Sequence, residues 1–97
     1  MNHNESNIVV ISNFDLKKNE NFYDKKILIK NINNLSLDVI LSTQKLDLDF
    51  IVNYILNEKY QETSHEQDID ILTVLKLQPH IKREELLQTI KKSKNNF

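Results

Sequence analysis

The sequence predicts a single α+β domain, in which an N-terminal antiparallel β-meander of two or three strands packs against two or three C-terminal helices. Short runs of large apolar residues, many of them β-branched, recur through the first 42 positions, as is typical of strands. From residue 48 onward, apolar residues recur at the spacing of amphipathic helices. A chain of 97 residues suffices for one core, so we expect one domain over residues 7–94, between a disordered tail at 1–6 and a second tail at 95–97.

Three runs in the N-terminal half are predicted strands. Residues 8–11 are β-branched at every position, and a second apolar run occupies residues 25–32. Asn33 and Asn34 follow the second run, and asparagine is the best turn former in a chain without glycine because it tolerates left-handed backbone angles. The third run, residues 35–42, alternates apolar and polar residues with one exception, so it is predicted to be a half-buried strand.

A helix over residues 36–44 is the competing interpretation of the third run. Ser36 is a good N-cap residue, and Leu35 is placed to pack against Ile40 as a hydrophobic staple. The alternation favours the strand, and both interpretations remain open on the sequence.

The clearest helical pattern begins at Asp47 or Asp49, both good N-cap residues, and runs to about Tyr60. Its apolar stripe has the i, i+3, i+4, i+7, i+8 spacing of one buried helix face. Residues 61–67 are polar throughout and are predicted to form a mobile linker. The stripe consists of Leu48, Ile51, Val52, Ile55 and Leu56.

Two further helices are predicted in the C-terminal third. Asp68 can cap a helix over residues 69–77, which we favour over a strand although the same residues also alternate. Pro79 disfavours helical backbone at the residue before it, so this helix should end near Leu77. Residues 82–92 carry acids early and lysines late, which suits the helix dipole and predicts a terminal helix. The buried face of the first of these helices would comprise Ile71, Leu72 and Leu75.

The absence of glycine and cysteine removes several classes of mechanism. Phosphate-binding loops, dinucleotide fingerprints and the nucleophile elbow all need glycine, where backbone approaches a ligand or takes angles that a Cβ forbids. Without cysteine there are no disulfides, thiolate nucleophiles or cysteine-ligated zinc sites, which fits a reducing compartment. Abundant asparagine, isoleucine and lysine beside a single arginine indicate an AT-rich coding sequence, so we attribute the missing glycines to genome composition.

Charge and hydropathy limit the partners and the compartment. Thirteen basic and fourteen acidic residues give a net charge of -1, which argues against binding nucleic acid or anionic membranes through overall charge. The apolar runs, such as residues 8–11 and residues 50–52, are far shorter than a membrane span of about 18 residues. Residues 1–5 lack the features of a signal peptide. We expect a cytoplasmic protein, or a nuclear one in a eukaryote, without a membrane partner.

No catalytic, cofactor-binding or metal-binding residue is predicted. An enzyme would need a pocket ringed by His65, Asp68 and Asp70, but these residues fall in or beside the polar linker, where solvated side chains are expected. Asp47 with Asp49, like Asp68 with Asp70, has a spacing that can bind magnesium. Each pair precedes a helical pattern, so we interpret them as N-cap and first-turn acids.

The predicted function is a small intracellular protein–protein interaction module, an inhibitor, adaptor or complex subunit whose partner is another protein or a second copy. The absence of catalytic parts and an apolar first strand that needs a cover support this. The alternative is a nucleic-acid-binding regulator using the helix pair 68–94, whose outline resembles a helix-turn-helix. It requires the lysines of the last helix to share a face free of Glu84 and Glu85. The predicted partner-binding residues are Ile8, Val10, Phe50, Tyr54, Lys82, Arg83 and Lys91.

Overall fold

The computed structural model describes residues 9–19 and 22–95, and these form a helical domain without a β-strand. The predicted α+β class is therefore wrong. Short 3-10 helices occupy Ile32–Asn34 and Glu58–Tyr60. The longer helices of the described ranges are α1 Asn13–Asn19, α2 Lys25–Lys30, α3 Leu37–Thr43, α4 Leu48–Phe50 continued by a π-helix over Ile51–Ile55, α5 Ser64–Gln67, α6 Ile71–Leu77 and α7 Arg83–Asn95.

The first predicted strand is an extended segment held by one side chain. Val9 to Ser12 lie outside any helix or strand, and Ile8 falls outside the described residues. The Asn31 Nδ2 donates to the Val9 carbonyl at 2.7 Å, and the Asn31 Oδ1 accepts from the Ile11 N–H at 3.1 Å. One side chain thus supplies the pair of hydrogen bonds that a neighbouring strand would supply. The strand prediction is wrong because the described part of the chain offers no second strand for pairing.

The second predicted strand is helix α2. Asp24 caps it, since its carboxylate accepts from the Lys26 N–H at 3.1 Å. Leu28 is buried in the core. Isoleucine has a weak intrinsic preference for helix, and burial against the core outweighs it. Asn33 and Asn34 consequently lie in a 3-10 helix, so the predicted hairpin turn is also wrong.

For the third predicted strand the helical alternative is confirmed and the strand is wrong. Helix α3 begins after Ser36, and its buried residues Leu37, Ile40 and Leu41 have the i, i+3, i+4 spacing of a helix face. Ser36 makes no side-chain capping hydrogen bond, and the first helical N–H donates instead to Glu66. Helix α3 is the centre of the fold because it packs against α1, α4, α5 and α6.

The predicted mobile linker contains helix α5 and is wrong for that reason. Thr63 Oγ1 accepts from the Glu66 N–H at 3.1 Å, while the Glu66 carboxylate accepts from the Thr63 N–H at 3.1 Å, forming a capping box. Glu66 is only 3% exposed and also accepts from the N–H groups of Glu62 at 2.8 Å and Leu37 at 2.7 Å. The polar composition of residues 61–67 gave no indication that the Glu66 carboxylate would be buried.

The last two predicted helices are confirmed, with one change of cap. Asp70 caps α6 by accepting from the N–H three residues later at 2.9 Å, so the cap is not Asp68. Helix α6 ends at Leu77, as the following proline predicts. Of the predicted tails, only Asn95 is described, and it ends α7.

Helix α4 is confirmed as a helix, but its geometry and its end differ from the prediction. Its second part is a π-helix, in which the Leu56 N–H donates to the Ile51 carbonyl at 2.8 Å. Phe50, Ile51 and Ile55 are buried, whereas Leu48, Val52 and Leu56 of the predicted stripe are half-buried. The helix ends at Ile55, earlier than predicted.

The core is aliphatic apart from one aromatic ring. The most deeply buried hydrophobic residues are Leu16 from α1, Leu37, Ile40 and Leu41 from α3, Phe50, Ile51 and Ile55 from α4, Val74 from α6 and Leu86 from α7.

Among the described residues no helix is both long enough and apolar enough to span a membrane.

The stability that Asp47 contributes at the start of α4 depends on pH. Its Oδ1 accepts from the Phe50 N–H at 2.8 Å, and its Oδ2 accepts from Lys25 Nζ at 2.9 Å. Partial burial alone raises the pKa of Asp47, but the hydrogen bonds from Phe50 and Lys25 outweigh it and hold the pKa below its ordinary value. Such a carboxylate stabilises the fold above its unfolded pKa of about 4, and the contribution is lost as the pH falls through the folded pKa.

We expect Asp47→Asn to keep the cap and remove the charge. Because the paired side chains are 46% and 54% exposed, solvent screens them, and the loss at neutral pH should be at most about 0.5 kcal/mol. This deficit should disappear as the pH falls through the lowered pKa of Asp47, because the wild-type carboxyl then becomes neutral as well. Asp47→Ala should lose about 1 kcal/mol at neutral pH, because the cap goes as well. Urea unfolding at several pH values measures both, and an Asn deficit that grows in acid would contradict the assignment.

Candidate protein-binding groove

An open groove runs between α4, α6 and α7. Its volume is about 680 Å³, and most of its lining surface is apolar although half of its ten lining residues are polar. We call this surface the α4–α6–α7 groove. Its apolar lining consists of Val52 and Leu56 at the end of α4, Ile71 and Leu72 from α6, and Ile90 from α7.

The π-helix positions the α4 side of the groove. Ile51 and Ile55 are fully buried and anchor this part of the chain in the core. Val52 and Leu56, each one position later, are half-buried and line the groove. π-Helices are rare and occur often at functional sites. An irregular helix geometry therefore coincides with one wall of an apolar concave surface.

Helix α6 forms the most exposed side of the groove. Val74 is buried and holds the helix against the core, whereas Leu72 is 67% exposed. Asp70 begins the helix, and its Oδ1 accepts from both the N–H and the Oγ1 of Thr73, at 2.9 and 2.8 Å. These two hydrogen bonds lower the pKa of Asp70, so its carboxylate stays ionised beside the groove.

Helix α7 closes the third side. Leu86 is fully buried between α7 and the rest of the protein, and Ile90 lies one turn later, half-buried in the groove. The polar lining contains two carboxylates, and no cation is among the described residues that line the groove. The polar lining residues are Asn53, Asn57, Glu58, Asp70 and Ser93.

The predicted partner-binding residues do not form one surface, although Phe50 and Tyr54 are in contact. Val10 is 74% exposed near the N-terminal end of the described chain, whereas Phe50 is 1% exposed and belongs to the core. Tyr54 is half-buried, with its ring 5.0 Å from the rings of both Phe50 and Tyr60. None of the predicted residues that the structure describes lines the α4–α6–α7 groove, and Ile8 is outside the described range. Lys82, Arg83 and Lys91 are exposed.

The charges of α7 do not segregate to separate faces. Lys91 follows Glu84 by seven residues, and Lys92 follows Glu85 by the same interval. Seven residues are about two turns of helix, so each lysine lies nearly above a glutamate. A face that carries both signs attracts phosphates weakly, which counts against the nucleic-acid alternative.

The acid–histidine cluster that an enzyme would need does not form a pocket. His65, Asp68 and Asp70 are all exposed, and only Asp70 lines the groove. Within the described ranges no group of three or more histidine, aspartate or glutamate side chains is arranged to hold a metal ion.

Two smaller cavities differ from the groove in composition. The first, about 460 Å³, contains the Lys25–Asp47 ion pair and His80, whose Nε2 lies 2.6 Å from the Leu46 carbonyl oxygen. Three of its polar side chains are thus already engaged within the protein. The second, about 400 Å³, is lined largely by loop residues.

The groove residues were missed because the sequence assigned them to buried stripes. In α6, five of seven residues are apolar, so apolar side chains extend around most of the helix. A helix on the surface of a small domain cannot bury all of them, and Leu72 is the one left largely exposed. That surplus of apolar residues was the signal available in the sequence.

The fold and the groove define a class: a small helical domain with an open, mainly aliphatic groove edged by two carboxylates. Comparison of the chain with models of protein families, with curated proteins and with solved structures gives no match.

Proposed function

We propose that the protein is a protein–protein interaction module whose partner docks in the α4–α6–α7 groove, without catalytic activity of its own. The observation that carries this proposal is Leu72, which is two-thirds exposed beside half-buried aliphatic side chains. Contiguous apolar surface with a polar rim is characteristic of docking sites, because water released from it favours association. Scattered exposed apolar residues would not support the same conclusion.

The shape and chemistry of the groove favour a protein over a small molecule or a substrate. Small-molecule sites bury about 70–90% of the ligand and converge a few polar groups on it. This groove is open, and its ionisable lining groups are the carboxylates of Glu58 and Asp70. Its described lining contains no histidine, lysine or arginine, and the Asp70 carboxylate is already hydrogen-bonded by Thr73.

The test compares two exposed leucines. A photo-crosslinking residue is introduced in place of Leu72 in the groove, or in place of Leu87 on α7, which is 41% exposed and lies outside the groove lining. Crosslinking in extracts of the native host should yield a defined adduct at position 72 and none at position 87. Sedimentation of the purified chain shows whether the adduct is a second copy.

Leu72→Asp should then weaken binding of the purified crosslinked partner at least about 30-fold, since a charge would enter the apolar contact, a loss of about 2 kcal/mol. Leu87→Asp should leave the affinity unchanged. Equal weakening by both variants, or crosslinks at position 87 alone, would place the partner elsewhere and overturn the proposed function.

A further inference from the structure

We infer that the α4–α6–α7 groove accepts an amphipathic helix of another protein whose apolar face is flanked by lysine or arginine. This inference rests on the proposed function and deepens it by specifying the chemistry of the partner. The juxtaposition that carries it is an aliphatic groove between helices, with Glu58 and Asp70 as its charged lining residues.

The walls of the groove favour a helix as the occupant. Ile90 and Ser93 are three residues apart on α7, and rows at this spacing form a ridge against which the side chains of a packed helix fit. Val52, in the π-helix, and Leu56, directly after it, line the α4 side. An extended peptide normally binds by adding to a sheet edge, and the described residues contain no strand. A helix satisfies its own backbone hydrogen bonds and needs no such edge.

The charges specify the flanks of that helix. Glu58 and Asp70 both line the groove, and the hydrogen bonds from Thr73 keep the Asp70 carboxylate ionised. The nearest cation in sequence, Lys59, has its Nζ 5.7 Å from the centroid of the Tyr60 ring and is not part of the lining. On α7, Lys91 is about a quarter turn or more away from the groove residues of that helix. Cationic flanks would therefore meet complementary charge.

The same charges disfavour a second copy of the chain. In a two-fold symmetric dimer the same patch lies on both sides of the interface. Glu58 and Asp70 would then meet the identical carboxylates of the partner subunit across a poorly solvated contact, and like charges in such a position oppose association. A partner of opposite charge avoids this repulsion.

The test uses two designed helical peptides that share leucines at i, i+3, i+4 and i+7. One carries lysines and the other glutamates at the flanking positions, and binding is followed by fluorescence anisotropy at low and high salt. We expect the basic peptide to bind at least about 10-fold more tightly at low salt, with the ratio shrinking as salt screens the charges. The double variant E58Q/D70N should reduce the ratio to less than about 3-fold and retain apolar binding, since asparagine still caps α6.

Two controls separate this inference from the proposed function. E84Q/E85Q removes two carboxylates outside the groove lining and should leave the ratio unchanged. If both peptides bind equally and Leu72→Asp abolishes both, the groove is the docking site and the basic partner is wrong. If neither peptide binds, a helical occupant is wrong, while crosslinking at position 72 still decides the proposed function independently. A second copy as occupant would appear as concentration-dependent sedimentation that Leu72→Asp abolishes.

Discussion

Replacing Glu66 with alanine is expected to lower the free energy of unfolding by about 2–4 kcal/mol, because hydrogen bonds to a charged group contribute about 1.5–3 kcal/mol each and a buried donor without a partner is costly. The carboxylate accepts from the N–H groups of Leu37, Glu62 and Thr63. The Leu37 N–H is buried, so water cannot replace its acceptor, whereas water can partly solvate the other two. The melting temperature should fall by roughly 10–25 °C.

The variant Glu66→Gln keeps the size of the side chain but replaces one of its two acceptor oxygens with an NH2 group, so it tests the hydrogen bonds alone. An amide has one acceptor oxygen, so at least one of the three N–H groups must face the amide NH2. We expect a loss smaller than that of alanine but above about 1 kcal/mol. Glu62→Ala is the matched control, because that side chain is exposed and its backbone N–H remains. Chemical unfolding measures all three, and a Gln variant as stable as the wild type would refute this role for Glu66.

Replacing Gln78 with leucine is expected to cost about 2–4 kcal/mol, because three buried backbone groups lose their partners while the volume stays similar. The side chain is 2% exposed. Its Oε1 accepts from the Leu46 N–H at 2.8 Å, and its Nε2 donates to the carbonyls of Leu41 at 2.7 Å and Gln44 at 2.6 Å. The turn before α7 is thereby joined to the connection between α3 and α4.

Gln78→Glu provides a sharper test of this junction. The ionised carboxylate keeps the acceptor for Leu46 but faces two carbonyl oxygens, so it should be at least as destabilising as leucine at neutral pH. In acid the protonated form can donate one hydrogen bond, and part of the stability should return relative to the wild type. Gln88→Leu, at an exposed position of α7, is the control. Equal stability of the Gln78 and Gln88 leucine variants would contradict the assignment.

Helices were predicted correctly from the sequence where a capping residue or a proline marks their ends. Asp47 begins α4, and Pro79 follows the end of α6 as predicted. The prediction was wrong where short runs of leucine and isoleucine fit both the strand period and the helix period. This is the case in α2 and α3, which have six and seven residues. Over so few residues the alternation of a strand and the spacing of a helix overlap, and burial decides between them.

The candidate groove could be predicted only in part. Val52 and Leu56 were recognised as apolar members of one helix, but both are half-buried instead of buried, and the helix ends in a π-turn before Leu56. A π-turn has no spacing signal of its own in the sequence. Leu72 was expected on a buried face, and its exposure depends on how α6 is oriented by the burial of Val74.

Local sequence by itself determined the start of α4 at Asp47, the end of α6 before Pro79 and the mechanisms that a chain without glycine or cysteine excludes. Tertiary structure alone decided the helical class of the N-terminal half, the inward direction of Glu66 and the opening of the groove. The reason is that these outcomes depend on partners distant in sequence: Asn31 binds backbone 20 residues away, Glu66 29 residues away and Gln78 up to 37 residues away. Spacing within one segment carries no record of such contacts, whereas the free energy of burying a polar group depends on them.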